Sequence, residues 1–294
     1  MKVLAILLAA LVLVTSAASR QGTTPNIKEV FIGRCWDYQE IRYNTILPIE
    51  QKNCSHLWDL FFKAFSYHAP CDVRQVNYDQ YLQEAKQSLP ANKALFWSGI
   101  YNLAHQFSDN GINYVTLEDT LIGYLANSLT WCGQENYPGM NFSACPTWTD
   151  CPLEASESFW SGASTTFAAA AIGPVVLMVD GSNPNKPAYR RDSFFGKYEL
   201  PGLNVSKVPS VQVIVTHALG AVKLEVCGNG TLVTLQNDIE ARGMTYTCDD
   251  NPDSVMYLLC AEKPDCRECK LAKALASGQL SYNSTVITPD YIMG

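Results

Sequence analysis

Eleven cysteines in a chain of 294 residues constrain the fold more than any other feature of the sequence. All of them follow residue 34, and such a set is typical of a protein that forms disulfides in an oxidising compartment. The length excludes a small disulfide miniprotein, because a chain of this size can bury a substantial core. Since eleven is odd, the cysteines cannot all pair within one chain.

The first twenty residues have the three parts of a secretory signal peptide. Lys2 supplies a positive charge, residues 3–14 form an unbroken apolar run, and small residues follow up to Ala18. A run of 12 apolar residues is shorter than the ~20 needed to span a bilayer, which disfavours the alternative of a membrane anchor. We predict a signal peptide over residues 1–18 and a chain without a membrane anchor, secreted or held in the lumen of a secretory granule.

Glycosylation sequons and the charge balance agree with this route. Five Asn-X-Ser/Thr sequons are candidate glycosylation sites: Asn53, Asn141, Asn204, Asn229 and Asn283. The formal net charge is −7, whereas nucleic-acid-binding proteins usually present a basic face. We therefore predict no nucleic-acid partner, while an anionic small molecule can still bind in a local pocket.

Apolar periodicity changes near the middle of the chain. The first half favours helices, over residues 53–65, 78–88, 94–107, 116–129 and 157–172. The second half favours short strands, over residues 175–179, 211–215, 223–227, 244–248 and 255–260, with helices over 231–242 and 267–278. At the start of the fourth helix, Thr116 and Asp119 are spaced as in a capping box.

These patterns predict an α+β or α/β fold built as one domain over residues 19–294. A helix-rich lobe over about 27–172 would pack on an α/β lobe over about 173–278, which holds a small, mostly parallel sheet flanked by helices. An active-site cleft would lie between the lobes, and residues 279–294 would form a C-terminal tail.

No short motif in the sequence identifies a function by itself. The four histidines show no metalloprotease or zinc-site spacing, so we predict no metal. No nucleophile elbow and no P-loop occur. Cys266 and Cys269 form a Cys-X-X-Cys pair, and in a chain with this many cysteines a structural interpretation is favoured over a redox motif.

Several longer segments, in the same order along the chain, resemble the ADP-ribosyl cyclase family, most closely its soluble molluscan members. They cover residues 31–43, 54–65, 95–105, 116–134, 157–164, 178–201, 213–220 and 267–273, and they include the motifs FWSG, TLEDTL, ESFW and FFGKYE. The resemblance extends from about residue 27 to 274, which is nearly the whole chain after the predicted signal peptide.

The resemblance implies an enzyme that cleaves the nicotinamide–ribose bond of NAD and cyclises the ADP-ribosyl intermediate to cyclic ADP-ribose, a calcium-mobilising messenger. The glutamate of FFGKYE, Glu199, would be the catalytic carboxylate that stabilises the oxocarbenium-like transition state. Trp97 and Trp160 would stack on the nicotinamide ring, Glu118 would contact its amide, and Ser164 would lie near the ribose and phosphates.

The same resemblance bears on which product forms. Phe194 and Tyr101 match aromatic residues of the molluscan members, whereas hydrolase-dominant mammalian members carry threonine and lysine there. An aromatic wall that positions adenine and excludes water favours cyclisation. The alternatives are an NAD glycohydrolase that yields mainly ADP-ribose, and a non-catalytic secreted binding glycoprotein.

The resemblance also implies substrates, partners and disulfides. NAD and NADP would be substrates and not cofactors, base exchange with nicotinic acid on NADP would yield nicotinic acid adenine dinucleotide phosphate, and the chain would form a homodimer as family members often do. The implied disulfides are Cys35–Cys54, Cys71–Cys151, Cys132–Cys145, Cys227–Cys248 and Cys260–Cys269. Cys266 is left over, either free, paired between chains, or in competition with Cys269 for Cys260.

Overall fold

The computed structural model describes residues 21–276. The predicted signal peptide, the predicted tail and the Asn283 sequon lie outside the described residues. Within 21–276 the chain forms ten α-helices: α1 (Ile27–Asp37), α2 (Cys54–Phe65), α3 (Asp79–Ala85), α4 (Tyr101–Ser108), α5 (Leu121–Ala126), α6 (Ala155–Ala170), α7 (Leu200–Gly202), α8 (Thr231–Glu240), α9 (Asp253–Glu262) and α10 (Arg267–Ala276). Two shorter helical turns matter for the site, a 3₁₀ turn at Leu117–Asp119 and a π-helical turn at Phe195–Glu199.

Four strands form one parallel sheet in the order β1-β2-β3-β4. They are β1 (Leu95–Ser98), β2 (Val175–Asp180), β3 (Ser210–Thr216) and β4 (Thr245–Asp250). The sheet is flanked by helices, which confirms the predicted mixed α/β class. Because all strands are parallel, their carboxyl ends lie at one edge, and ligands of open α/β sheets bind at that edge.

The two faces of the sheet bury two separate apolar clusters. On β2, Val175, Leu177 and Val179 contact the larger cluster, while Val176 and Met178 contact the smaller one. This alternation follows from the period of two along a strand, and burial of both faces explains why the strand is a continuous apolar run. The smaller cluster is closed by α4 and α9, and the side chain of Trp97 packs against it.

The prediction of a helix over 94–107 is wrong at its first half. Residues 95–98 form the edge strand β1, which pairs with β2 in the register Leu95↔Val176 and Trp97↔Met178. Gly99, at φ +79°, then turns the chain into α4. A four-residue strand carries too little periodicity to be distinguished from the helix that follows it.

Two predicted strands are absent for different reasons. Residues 223–227 form a loop in which Leu224 and Glu225 both donate backbone N–H groups to the carbonyl of Gly181. Residues 255–260 lie inside α9, which begins after Pro252 and has Asp253 in its first turn. These are ordinary helix-start signals, and the β-branched and aromatic composition of the segment concealed them.

The remaining predicted elements differ mainly in extent. The capping box at Thr116 and Asp119 forms as predicted, but it caps the 3₁₀ turn, and α5 begins only after Thr120. The predicted strands over 175–179, 211–215 and 244–248 correspond to β2, β3 and β4. The last predicted helix corresponds to α10, and its final two residues lie beyond the described part.

Five disulfides join the same ten cysteines in the pairs that the resemblance implies: Cys35–Cys54, Cys71–Cys151, Cys132–Cys145, Cys227–Cys248 and Cys260–Cys269. All eleven cysteines lie in the described residues, and Cys266 is the unpaired one. Of the four described sequons, Asn53, Asn204 and Asn229 are exposed and Asn141 is half-buried. Among residues 21–276, no helix is long and apolar enough to cross a bilayer.

Candidate active site

Glu199 is a buried carboxylate at the end of the π-helical turn. Its side chain is 8% exposed, and Oε1 accepts a hydrogen bond from the Ser164 hydroxyl at 3.0 Å. Burial raises its pKa to about 8, partly offset by the Ser164 hydrogen bond and reinforced by the nearby charge of Glu118. A carboxylate so poorly compensated is a favourable place for a positive charge.

The sequence FFGKYE fixes this turn tightly against the core. At Gly196 an added Cβ would lie 2.6 Å from the Arg190 carbonyl oxygen, so the close approach of the two backbones requires glycine. Phe195 is buried against Phe96 of β1, with ring centroids 5.7 Å apart. This contact ties the turn that carries Glu199 to the strand that carries Trp97.

Glu118 lies in the 3₁₀ turn and faces Trp97 and His105. Trp97 Nε1 donates to Oε2 at 3.4 Å, and His105 Nε2 lies 3.6 Å from the same oxygen. The turn is anchored because Asp119 caps Thr116 and accepts from the Tyr43 hydroxyl at 3.1 Å. Burial raises the pKa of Glu118, and His105, the largest opposing influence, lowers it.

The two rings that face Glu118, those of Trp97 and His105, both contact Tyr101. Trp97 packs edge-on against Tyr101 at 5.4 Å, and Tyr101 stacks on His105 at 4.0 Å. The Tyr101 hydroxyl accepts from the Asn127 side chain at 3.0 Å. Tyr101 is 40% exposed and can therefore contact a ligand from the solvent side.

Helix α6 presents Trp160 and Ser164 one turn apart, on the same side of the helix. The helix begins at a buried cap, where the Glu154 carboxylate accepts from the backbone N–H groups of Ser156 and Glu157, each at 2.9 Å. Trp160 is half-buried and packs edge-on against Phe159 at 5.1 Å. The cap sets the position of both site residues along the helix.

Phe194 directly precedes the π-helical turn and belongs to a group of aromatic side chains. Its ring lies 5.1 Å from Trp148 and 5.3 Å from Tyr198. Trp148 is 49% exposed and also borders an open cavity of about 450 Å³. Phe194, five residues before Glu199 in the sequence, thus forms an apolar wall together with these rings.

The structure therefore brings the predicted residues into three contacts: Glu199 with Ser164, Glu118 with Trp97, and Phe194 with further aromatic rings. The electrostatic interaction between Glu118 and Glu199 links the first two contacts. Sequence reasoning gave no role to His105 or Trp148. His105 lies four residues after Tyr101 on a helix, and this spacing is a signal that could have predicted the contact between these two side chains. For Trp148 no comparable local signal exists, since its contact with Phe194 spans a long loop.

In the part of the chain that the structure describes, the one cluster with ligand atoms close enough for a metal is Cys260, Cys266 and Cys269. Two of these sulfurs are joined in a disulfide, which removes them as thiolate ligands. The cluster lies on α9, on α10 and in the turn that joins them.

Comparison with known proteins places this site in a family. The family model described as ADP-ribosyl cyclase matches residues 24–269. The ADP-ribosyl cyclase/cyclic ADP-ribose hydrolase of Aplysia kurodai is 54% identical over 250 residues, which cover 85% of this chain and 88% of that protein.

Two solved structures extend the comparison. The Aplysia cyclase in complex with the substrate NGD and the product cGDPR has a TM-score of 0.81 and 50% identity, covering 84% of this chain and 98% of that one. Porcine CD38 with a covalent intermediate, ribo-F-ribose-5'-phosphate, has a TM-score of 0.73 and 30% identity, covering 79% and 98% respectively. The extent of the family match, together with these identities, shows that the chain belongs to the ADP-ribosyl cyclase family.

Proposed function

We propose that the protein cleaves the bond between nicotinamide and ribose C1′ of NAD and closes the ADP-ribosyl group into cyclic ADP-ribose. The observation that carries the proposal is Glu199, a buried carboxylate whose one hydrogen-bond partner in the described residues is the neutral Ser164 hydroxyl. The family match and the cyclase names of the relatives support the same reaction.

The chemistry explains why a single carboxylate suffices. When the C1′–N bond breaks, its electron pair moves to the pyridinium nitrogen, so nicotinamide leaves as a neutral molecule and needs no proton. The positive charge then develops on the ribose, where Glu199 opposes it at short range in a site of low polarity. Ser164 holds Oε1, which fixes the direction in which the carboxylate faces.

The aromatic residues and Glu118 would hold the leaving group. The faces of Trp97 and Trp160 can stack on the cationic nicotinamide ring, an attraction of ~0.5–2 kcal/mol. Glu118 can accept from the carboxamide N–H. Its contacts with Trp97 and His105 orient it for this role.

Product choice depends on what reaches C1′ after nicotinamide departs. Attack by adenine N1 of the same molecule forms the new C–N bond, with loss of a proton from the adenine amino group, and gives cyclic ADP-ribose. Attack by water gives ADP-ribose. The wall formed by Phe194 and Trp148, with Tyr101 on the side of Glu118, favours the first outcome by positioning adenine and limiting water.

The proposal extends to NADP, on which exchange of nicotinamide for nicotinic acid would give nicotinic acid adenine dinucleotide phosphate. It also includes secretion or storage in a granule lumen, glycosylation at the exposed sequons, and a homodimer. The five disulfides support an oxidising compartment. Sedimentation of the purified glycoprotein tests the dimer.

The test is incubation of purified protein with NAD, followed by chromatographic separation of nicotinamide, cyclic ADP-ribose and ADP-ribose. We expect mainly cyclic ADP-ribose, and we expect Glu199→Gln to lower nicotinamide release by about 10³-fold, the scale of losing one electrostatic stabiliser. Glu240→Gln is the matched control, since Glu240 is exposed on α8. Release by Glu199→Gln at the control rate would overturn the mechanism, and mainly ADP-ribose from the wild type would favour an NAD glycohydrolase.

The variant Phe194→Thr tests the choice between the two products separately from the cleavage of NAD. We expect nicotinamide release to stay within about 3-fold while the share of ADP-ribose rises, because the variant removes the wall and leaves the carboxylate in place. An unchanged ratio of cyclic ADP-ribose to ADP-ribose would show that Phe194 does not control which product forms.

A further inference from the structure

His105 lies on α4 with its two ring nitrogens in different surroundings. Nδ1 is 2.8 Å from the backbone carbonyl oxygen of Tyr101, one helical turn earlier. A carbonyl oxygen can only accept, so Nδ1 carries a hydrogen and donates it. The same ring stacks on the Tyr101 side chain at 4.0 Å, which holds the imidazole plane in place.

Nε2 is buried and has no hydrogen-bond partner. It faces Oε2 of Glu118 at 3.6 Å. In the neutral ring with the hydrogen on Nδ1, Nε2 would be a bare acceptor opposite a carboxylate that also only accepts. A proton on Nε2 removes this conflict, since the ring then becomes a cation beside an anion.

We propose that His105 is a positioning residue of the reaction: as an imidazolium it holds Glu118 by Oε2, so that the other carboxylate oxygen is aligned for the nicotinamide carboxamide. This inference rests on the proposed function and adds a residue to it. His105 acts through Glu118 and need not touch the substrate.

The surrounding charges leave Glu118 as the partner of the ring. Helix α4 packs against β1 and α9. On α9 the carboxylate of Glu262 is engaged by Gln106 at 2.7 Å. Asp119, next to Glu118, is bound by Thr116 and Tyr43, and Glu199 bonds to Ser164. The influence of His105 in lowering the pKa of Glu118 agrees with this pairing.

A double-mutant cycle with His105→Phe and Glu118→Gln tests the inference, since phenylalanine keeps the ring that stacks on Tyr101. We expect His105→Phe to raise KM for NAD about 10-fold with a smaller change in kcat, and to have no further effect in the Glu118→Gln background. His105→Gln, which can still donate to Glu118, should recover most of the loss. Gln106→Ala is the control on the same helix, because it breaks a contact with α9 and leaves Glu118 untouched.

A structural role for His105 predicts the opposite pattern. The effect of His105→Phe would then add to the effect of Glu118→Gln and would resemble the effect of Gln106→Ala. His105→Gln would not recover the lost activity. Any of these results overturns the inference while leaving NAD cleavage by the wild type intact.

A substrate-free measurement keeps the inference testable even if the proposed function fails. With ¹³C-labelled glutamate, the Glu118 carboxyl can be titrated by NMR in the wild type and in His105→Phe. We expect the pKa of Glu118 to rise in the variant, because a neighbouring cation has been removed. No rise would overturn the pairing, whereas a wild type that releases no nicotinamide would overturn only the proposed function.

Discussion

Glu199 and Glu118 are two largely buried carboxylates in one site, and their partners differ. Glu199 is 8% exposed and bonds to a neutral hydroxyl, so burial raises its pKa to about 8. The Glu118 side chain is 11% exposed, but it faces the Trp97 indole N–H and the His105 ring. Burial raises its pKa too, and His105 opposes the rise.

This difference separates two tasks that the same type of side chain can perform. A carboxylate with its own cationic neighbour keeps its charge and orientation whatever the substrate does, which suits a binding contact. A carboxylate without such a neighbour gains most when positive charge develops next to it, which suits stabilisation of a transition state. Environments that make paired carboxylates unequal are a recurrent way to divide roles in an active site.

The pH dependence of kcat/KM provides the largest expected effect. The ionised form of Glu199 is the active one, so activity should rise with pH through about 8 and fall about tenfold for each pH unit below it. Between pH 9 and pH 6 we expect a loss of about 100-fold with NAD as substrate. The profile of kcat should be flatter, because the bound cationic substrate favours the carboxylate.

The variant Glu118→Gln sharpens this test. Its kcat/KM should be lower overall and still fall on the acid side, since that fall belongs to Glu199. The fall should shift to lower pH, because removing the charge of Glu118 lowers the pKa of Glu199. If the fall of kcat/KM at low pH disappears in Glu118→Gln, that fall is due to ionisation of Glu118. The division of roles between the two carboxylates would then be wrong.

The residues of this site came from the resemblance to a family and not from local patterns. Isolated carboxylates such as Glu199 and Glu118 give no periodic signal, and what marks them is the motif around each, whose glycine and aromatic residues build the turn. In the turn at Phe195–Glu199, Gly196 and Phe195 allow the close approach to the core that places Glu199. The motif therefore predicts both the site residue and the neighbours that position it.

Local periodicity failed where long-range pairing decides the structure. Residues 95–98 form a strand because β2 lies beside them, unlike residues 255–260, whose strand-like composition concealed local helix-start signals. The pairing of His105 with Glu118 has the same origin. It depends on α4 and the 3₁₀ turn meeting in space, which no spacing within either segment encodes.

Ser164→Ala should have the next largest effect. The hydroxyl donates to the Glu199 carboxylate, and losing a hydrogen bond to a charged group raises its pKa further. We expect kcat/KM at pH 7 to fall about 10-fold, with the gap narrowing as the pH approaches the new pKa.

Ser161→Ala is the matched control for this variant. Ser161 lies on the same helix and is also buried, but its hydroxyl donates to the Ser158 carbonyl oxygen. A pH-independent loss in Ser164→Ala, or an equal loss in Ser161→Ala, would mean that Ser164 does not act through the ionisation of Glu199.

Thermal stability should show the smallest effect and compares the two carboxylates without substrate. The pKa of Glu199 is higher in the folded chain than its ordinary value of 4.5, so the folded state binds more protons between these values. The stability gained from holding that proton is complete below about pH 4.5 and is lost as the pH rises through about 8. Glu199→Gln removes the ionisation, and we expect its Tm to exceed that of the wild type by about 10 °C at pH 8, with the difference vanishing near pH 4.5.

Glu118→Gln should not follow this pattern, because removing that carboxylate leaves the buried Nε2 of His105 without its counter-ion. Its Tm at pH 8 should rise less than that of Glu199→Gln, or fall. Differential scanning calorimetry of both variants from pH 4.5 to pH 9 provides the measurement. If the two glutamines stabilise equally at pH 8, His105 does not compensate Glu118, and the two carboxylates are electrostatically alike. If instead the Tm difference from the wild type grows with pH only for Glu199→Gln, ionisation of Glu199 destabilises the folded state. The charge of Glu118 is then stabilised by His105.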